Sequence, residues 1–109
     1  MKWLTIRKGK IVVGPKKDEL PPEPLWKEIE GNHEVIAIGS IFWQADEPKL
    51  HLHGAFGRGD HAFVGCLREA GEAFLILEAI VIEIEGIKAE REFDPATGLT
   101  LLKIGQGLP

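Results

Sequence analysis

The 109-residue chain is short of cysteine, and Cys66 is its only one. A single thiol excludes an intramolecular disulfide and fits a reducing compartment. The opening MKWLTIRKGK carries no apolar run behind its charges, so it does not read as a secretory signal. A membrane-length run is missing as well. The most apolar stretch, residues 73–84, contains Glu78 and Glu83 and is too short to cross a bilayer. These absences predict a cytoplasmic protein without membrane attachment. Excess positive charge is also absent. The formal net charge is −4, whereas a protein that neutralises DNA phosphates ordinarily carries a basic patch or stripe. The basic residues that cluster are early (Lys2, Arg7, Lys8, Lys10, Lys16, Lys17), and a run of this kind is ordinarily a solvated surface. There is no internal repeat and no low-complexity tract, and the length suits a single domain over 1–109.

What the chain does have is apolar, strand-forming sequence. Apolar residues make up 44%, enough for a packed core. Ile, Val and Leu broken by thirteen glycines and seven prolines predict short strands with tight turns. Residues 3–6 and 11–13 read as strands around a turn at Lys8-Gly9-Lys10. Pro24 can open a short helix carrying Leu25, Trp26 and Ile29, which Gly31-Asn32 would stop. Residues 34–43 read as a strand apolar on both faces, the pattern of a strand lying between two layers or against a partner subunit. Turns are expected at 45–48, 57–60 and 94–98, with strands at 50–56, 62–67, 87–93 and 99–104. The longest candidate strand is 72–85. Phe74, Ile76, Ile80, Ile82 and Ile84 share one parity, and its β-branched density favours strand over helix.

One hairpin concentrates the polar chemistry, HLHGAFGRGDHAFVGC at 51–66. Side chains alternate along a strand, so His51 and His53 share a face. If the ribbon turns near residues 58–60, Cys66 returns to their level. Two imidazoles and a thiolate would give a zinc-type ion three protein ligands and leave a fourth position open. The plainer alternative is a strand pair with incidental histidines and a small buried cysteine. His61 sits nearer the turn and reads as exposed; His33, after Gly31-Asn32, reads as a surface residue. Arg58-Gly59-Asp60 is a turn rather than an adhesion signal, and Gly57-Arg58-Gly59 lacks the Gly-Lys-Ser/Thr of a phosphate loop. Ser40 lies mid-strand without the elbow of a hydrolase nucleophile. Glu83, Glu85, Glu90 and Glu92 read as a solvated edge.

Pro48-Lys49-Leu50-His51-Leu52-His53-Gly54-Ala55-Phe56-Gly57-Arg58, then Val64-Gly65-Cys66-Leu67, then the 74–84 strand, then Arg91, Asp94, Thr97, Gly98 and Leu99, resemble in order the motifs of the PPC domain, named for plants and prokaryotes. The resemblance covers about residues 31–104. It implies an α+β fold, a mainly antiparallel sheet with little helix, that assembles as a homotrimer. In plants the domain follows AT-hook motifs; stand-alone prokaryotic members carry a DNA-binding label and an unsettled role. Some members are implied to hold a metal through the paired histidines and the histidine of a Gly-Gly-His-Leu segment. Carried over, those positions are His51, His53 and Cys66, with cysteine in place of the third histidine. This chain begins late against the family pattern, an N-terminally shortened form, and it contains no AT-hook. The expectation is a small oligomeric, non-enzymatic protein of regulatory or assembly type, with zinc as its cofactor and DNA or a protein as a further partner. A metal-dependent enzyme or small-ligand sensor on the same three residues is the alternative, with Asp60 and His61 as the nearest candidates for a general base.

Overall fold

In the computed structural model, which describes residues 5–68 and 71–105, seven strands form one sheet. They are β1 (Thr5–Pro15), β2 (Pro24–Gln44), β3 (Glu47–Arg58), β4 (His61–Leu67), β5 (Glu72–Ala73), β6 (Ala89–Asp94) and β7 (Leu99–Ile104). Among the described residues there is no helix, so the expected α+β class gives way to an all-β fold. The sheet is mainly antiparallel, with one parallel contact of β2 and β6 at Trp43 and Glu90.

Four of the strands close on themselves. β1 pairs with β2 and β4, β4 with β3, and β3 with β2, so the ring has no free edge among them. The ring is possible because β2 is long and changes partner midway. Its first half runs along β1, from Pro24 opposite Pro15 to Glu34 opposite Thr5, and its second half runs along β3, from Glu34 opposite Gly57 to Gln44 opposite Glu47. The change falls at Glu34, just past an irregularity in the β1–β2 register at Gly31, whose φ of 77° lies in the left-handed region that glycine enters without steric cost. There the Nδ1–H of His33 donates to the Gly31 carbonyl at 2.9 Å, and an Arg58 guanidinium N–H donates to the Asn32 carbonyl at 2.9 Å.

Inside the ring Ile6, Ile11, Ile29 and Phe56 form the core, flanked by Val13, Val35, Phe63 and Leu67. The helix expected at Leu25–Ile29 does not form. A helix so short is costly to nucleate. As strand, the same residues satisfy their backbone groups against β1, with Trp26 opposite Val12 and Glu30 opposite Lys8. Lys10 then lies over the Trp26 ring at 4.6 Å. The turn expected at Lys8-Gly9-Lys10 is absent for the same reason. Gly9 continues β1 opposite Ile29, where a side chain would press on the core. Trp3 and Leu4 of the first expected strand lie outside the described residues.

The long strand expected at 72–85 is the largest departure. The strand formed, β5, is only Glu72 and Ala73, opposite Lys8 and Ile6 of β1, and Ile76 adds an isolated bridge. Phe74 and Ile76 are tethered by hydrogen bonds to Thr5, and Leu75 takes a positive φ of 64°. Residues 77–88 belong to no strand, Gly86 turns the chain with a φ of 85°, and at the end of the segment the Lys88 carbonyl accepts from the Gly105 N–H at 2.7 Å. The hairpin of β6 and β7 follows, closed by the turn at Asp94–Gly98 as expected. No helix among the described residues is long and apolar enough to cross a membrane.

Candidate metal centre

The candidate centre lies on the outer face of the ring, opposite the core. β3 places Phe56 inward, so His51, His53 and Ala55 point outward. β3 pairs with β4 so that His53 lies directly opposite Cys66, and β2 places Ser40 opposite His51 and Ile38 opposite His53. Register therefore brings His51, His53 and Cys66 together, as the spacing predicts. One nitrogen of each histidine and the sulfur all lie within 4.8 Å of one another.

Each ligand is held differently. Cys66 is 4% exposed. It follows Gly65, where β1 and β4 press together, and a Cβ at Gly65 would lie 2.5 Å from the Val12 carbonyl oxygen. Glycine is thus required for the approach that seats the sulfur. His53 is exposed and His51 half-buried. Their Nε2 atoms are 2.8 Å apart, a hydrogen bond that needs one ring to donate and the other to accept. The tautomer follows from the far side of His51. Nη2 of Arg91 lies 3.1 Å from His51 Nδ1, and a guanidinium only donates, so Nδ1 is the acceptor. The ring proton of neutral His51 is then on Nε2 and is donated to His53. Burial holds the His51 pKa below its ordinary value, and the nearby His53, Arg91 and Arg68 push it the same way. A neutral imidazole is the form that binds metal.

Arg91 comes from β6, brought in by the parallel contact with β2. It also donates to Ser40 Oγ at 3.3 Å and lies over the Phe42 ring at 5.6 Å. No carboxylate pairs with it among the described residues. Spacing arguments miss both neighbours of His51, because Ser40 is set opposite it by the β2–β3 register and Arg91 is brought in by the β2–β6 contact.

The donor set fits a metal. Imidazole nitrogen and thiolate sulfur are the preferred ligands of zinc and similar ions, and a proton now occupies the place between the two Nε2 atoms. The other histidines lie elsewhere. His61 is exposed, as expected, and stacks on Phe63 near the hairpin tip. His33 is buried, at 3% exposure, against the expectation of a surface site; it packs edge-on to His61 at 5.5 Å and against Phe63. Its place on the core side of the partner change in β2 explains this. Asp60 and His61 stand five residue pairs up the β3–β4 ladder from Cys66, about 17 Å at the rise of a strand. That distance removes both as a general base for the centre. The early basic cluster is interrupted by acids, with Arg7 bonded to Glu72 and Lys16 to Glu23.

Residues 5–85 match the family described as the Plants and Prokaryotes Conserved (PCC) domain. The match takes in β1 to β5, the following segment as far as residue 85 and all three candidate ligands, and ends before Arg91. Comparison with curated proteins and with solved structures returns no match.

Proposed function

The chain belongs to the Plants and Prokaryotes Conserved (PCC) domain family, and from that premise we propose that it is a self-associating, metal-binding regulatory or assembly module rather than an enzyme. His51, His53 and Cys66 would hold the ion, with zinc as the favoured metal on its N,N,S donor set. The observation that carries this is the convergence of the three ligating atoms within 4.8 Å on adjacent strands. Three protein ligands leave a position for water or a small ligand, which suits sensing. The enzyme reading lacks a base, since Asp60 and His61 are too distant along the ladder.

Self-association rests on the surface. The chain exposes 8610 Å², whereas a folded monomer of its 12.0 kDa mass exposes roughly 6,000 Å². The radius of gyration is 16.1 Å, against about 13 Å for a compact domain of this length. Large apolar side chains contribute to it. Ile36, Ile38 and Val64 beside the metal ligands stand open, Ile38 at 81%, as do Ile80, Val81, Ile82 and Ile84 of the 77–88 segment, Ile80 at 94%. The occupant that fits is a second copy, because one surface offers an apolar sheet face and the other a strand sequence without a ladder. A trimer is the state the resemblance implies. DNA binding by this chain is not favoured, given the net charge of −4 and the interrupted basic cluster.

Elemental analysis of purified protein tests the metal reading. About one zinc per chain is expected, lost with His51→Ala or Cys66→Ala. Absence of metal, together with no uptake from added zinc, would overturn it.

A further inference from the structure

Metal-ligating histidines almost always donate their second ring N–H to a carboxylate, a carbonyl or water. His51 departs from this, because its Nδ1 faces the Nη2 of Arg91, a donor, at 3.1 Å. In the metal-free protein the arrangement is consistent, with Nδ1 accepting and the proton on Nε2. Once Nε2 is given to a metal, neutral imidazole carries its proton on Nδ1. Two donors then face each other, and an acceptor has to come between them.

The consequence for Arg91 is specific. A guanidinium grips a carboxylate by two parallel N–H bonds, either end-on through both Nη atoms or side-on through Nε and Nη2. Both modes use Nη2, the atom now held by His51 and Ser40. Nη1 and Nε have no acceptor among the described residues, and no acidic side chain there neutralises the charge. Occupation of the His51 Nε2 position therefore releases the Nη2 N–H that His51 accepts, leaving Ser40 as the remaining partner of the fork. It also turns His51 Nδ1 into a further donor aimed at the same place, while the Phe42 ring supports the guanidinium plane.

We propose that Arg91 and the Nδ1 side of His51, with Ser40 beside them, form a receptor for the carboxylate group of a small ligand, and that metal loading switches this receptor on. The proposal rests on the metal reading above and adds to it the chemical class of the ligand. Linkage makes the coupling reciprocal, so the carboxylate strengthens metal binding by the factor by which metal strengthens carboxylate binding.

The test measures zinc affinity by chelator competition, with and without acetate as the probe, in the wild-type chain, Arg91→Gln and Arg91→Lys. Acetate is expected to raise zinc affinity about tenfold in the wild type, within the usual span of coupling between sites. Arg91→Gln is expected to lose that gain while its acetate-free zinc affinity rises above wild type, because the opposing donor is gone and the glutamine Oε1 can accept from His51 Nδ1–H. Arg91→Lys, which keeps the charge without the fork, is expected to keep only part of the gain and guards against a folding defect in the glutamine variant. Nitrogen-15 shifts of the His51 ring supply an independent readout, with the proton expected on Nε2 without zinc and on Nδ1 with it. Failure to bind zinc would overturn the metal reading and this proposal together. Zinc binding with no acetate effect, or with an effect equal in Arg91→Gln, would overturn this proposal alone. The same holds if a carboxylate side chain of a second copy fills the site and acetate cannot enter.

Discussion

At the scale of single residues, the account turns on a few atoms held by backbone pairing. His51 and His53 on one face, with Cys66 level with them, were legible from the alternation of a strand and the position of the turn. Arg91 was not, because its approach to His51 depends on β6 returning beside β2, a contact between residues far apart in sequence, and Ser40 needs the β2–β3 register that sets it opposite His51. His33 differs from its sequence expectation for a similar reason. A histidine after Gly-Asn reads as exposed, yet it lies where β2 crosses from one partner to the other and is enclosed by His61 and Phe63. Replacing Cys66 by His, the residue the family pattern places there, is expected to preserve zinc binding. Cys66→Ala should weaken it by more than the roughly 10–100-fold typical of changes behind the ligands. Competition titration of the two variants decides this, and equal affinity in both would remove sulfur from the centre. Gly65→Ala puts a methyl group against the Val12 carbonyl, so β4 must part from β1. The variant is expected to lose stability in urea melts and zinc affinity at once. A core substitution away from the centre, Phe56→Ala, should cost about 3–5 kcal/mol of stability in the same melts.

At the scale of elements, the β3–β4 hairpin is legible almost in full, since β3, its turn and β4 follow simple alternation and turn chemistry. The β1–β2 pairing is not. The spacing of Leu25, Trp26 and Ile29 suits one helical turn, but β1 offers a complete ladder to the same residues, and pairing prevails over so short a helix. The segment 74–88 poses the opposite problem. Its composition is that of a strand, yet Leu75 and Gly86 break the extended backbone with positive φ, and beyond the bridge at Ile76 residues 77–88 belong to no strand. On the self-association reading, its amides gain partners in the assembly. Hydrogen exchange is expected to show protection over 77–88 at concentrations where the protein is assembled and fast exchange on dilution. Protection that is independent of concentration would place the partner within the chain. The paired change Ile80→Asp with Ile82→Asp should shift the population toward smaller species while leaving the core of the ring folded. An unchanged mass would take the segment out of the interface.

At the scale of the molecule, the surface makes the case for company. Exposed Ile36, Ile38, Val64, Ile80, Val81, Ile82 and Ile84 are the kind of apolar surface that marks an interaction site. Light scattering on the eluting protein is expected to give a mass of several chains, and a stable species of one chain at micromolar concentration would contradict that. The net negative charge points the same way as the interrupted basic cluster, so weak or absent DNA binding is expected at physiological salt. The centre would then lie next to the subunit boundary, since Ile38 stands opposite His53 and Val64 precedes Cys66 by two residues on the same face. Assembly and metal loading would be coupled through that boundary.

The most direct measurement is a titration of the metal-free protein with cobalt(II), a spectroscopic substitute for zinc. The account predicts saturation at one equivalent per chain, with the intense visible bands of a four-coordinate ion and a sulfur charge-transfer band that disappears in Cys66→Ala. A spectrum that stays that of the hydrated ion, or one without any sulfur contribution, would contradict it.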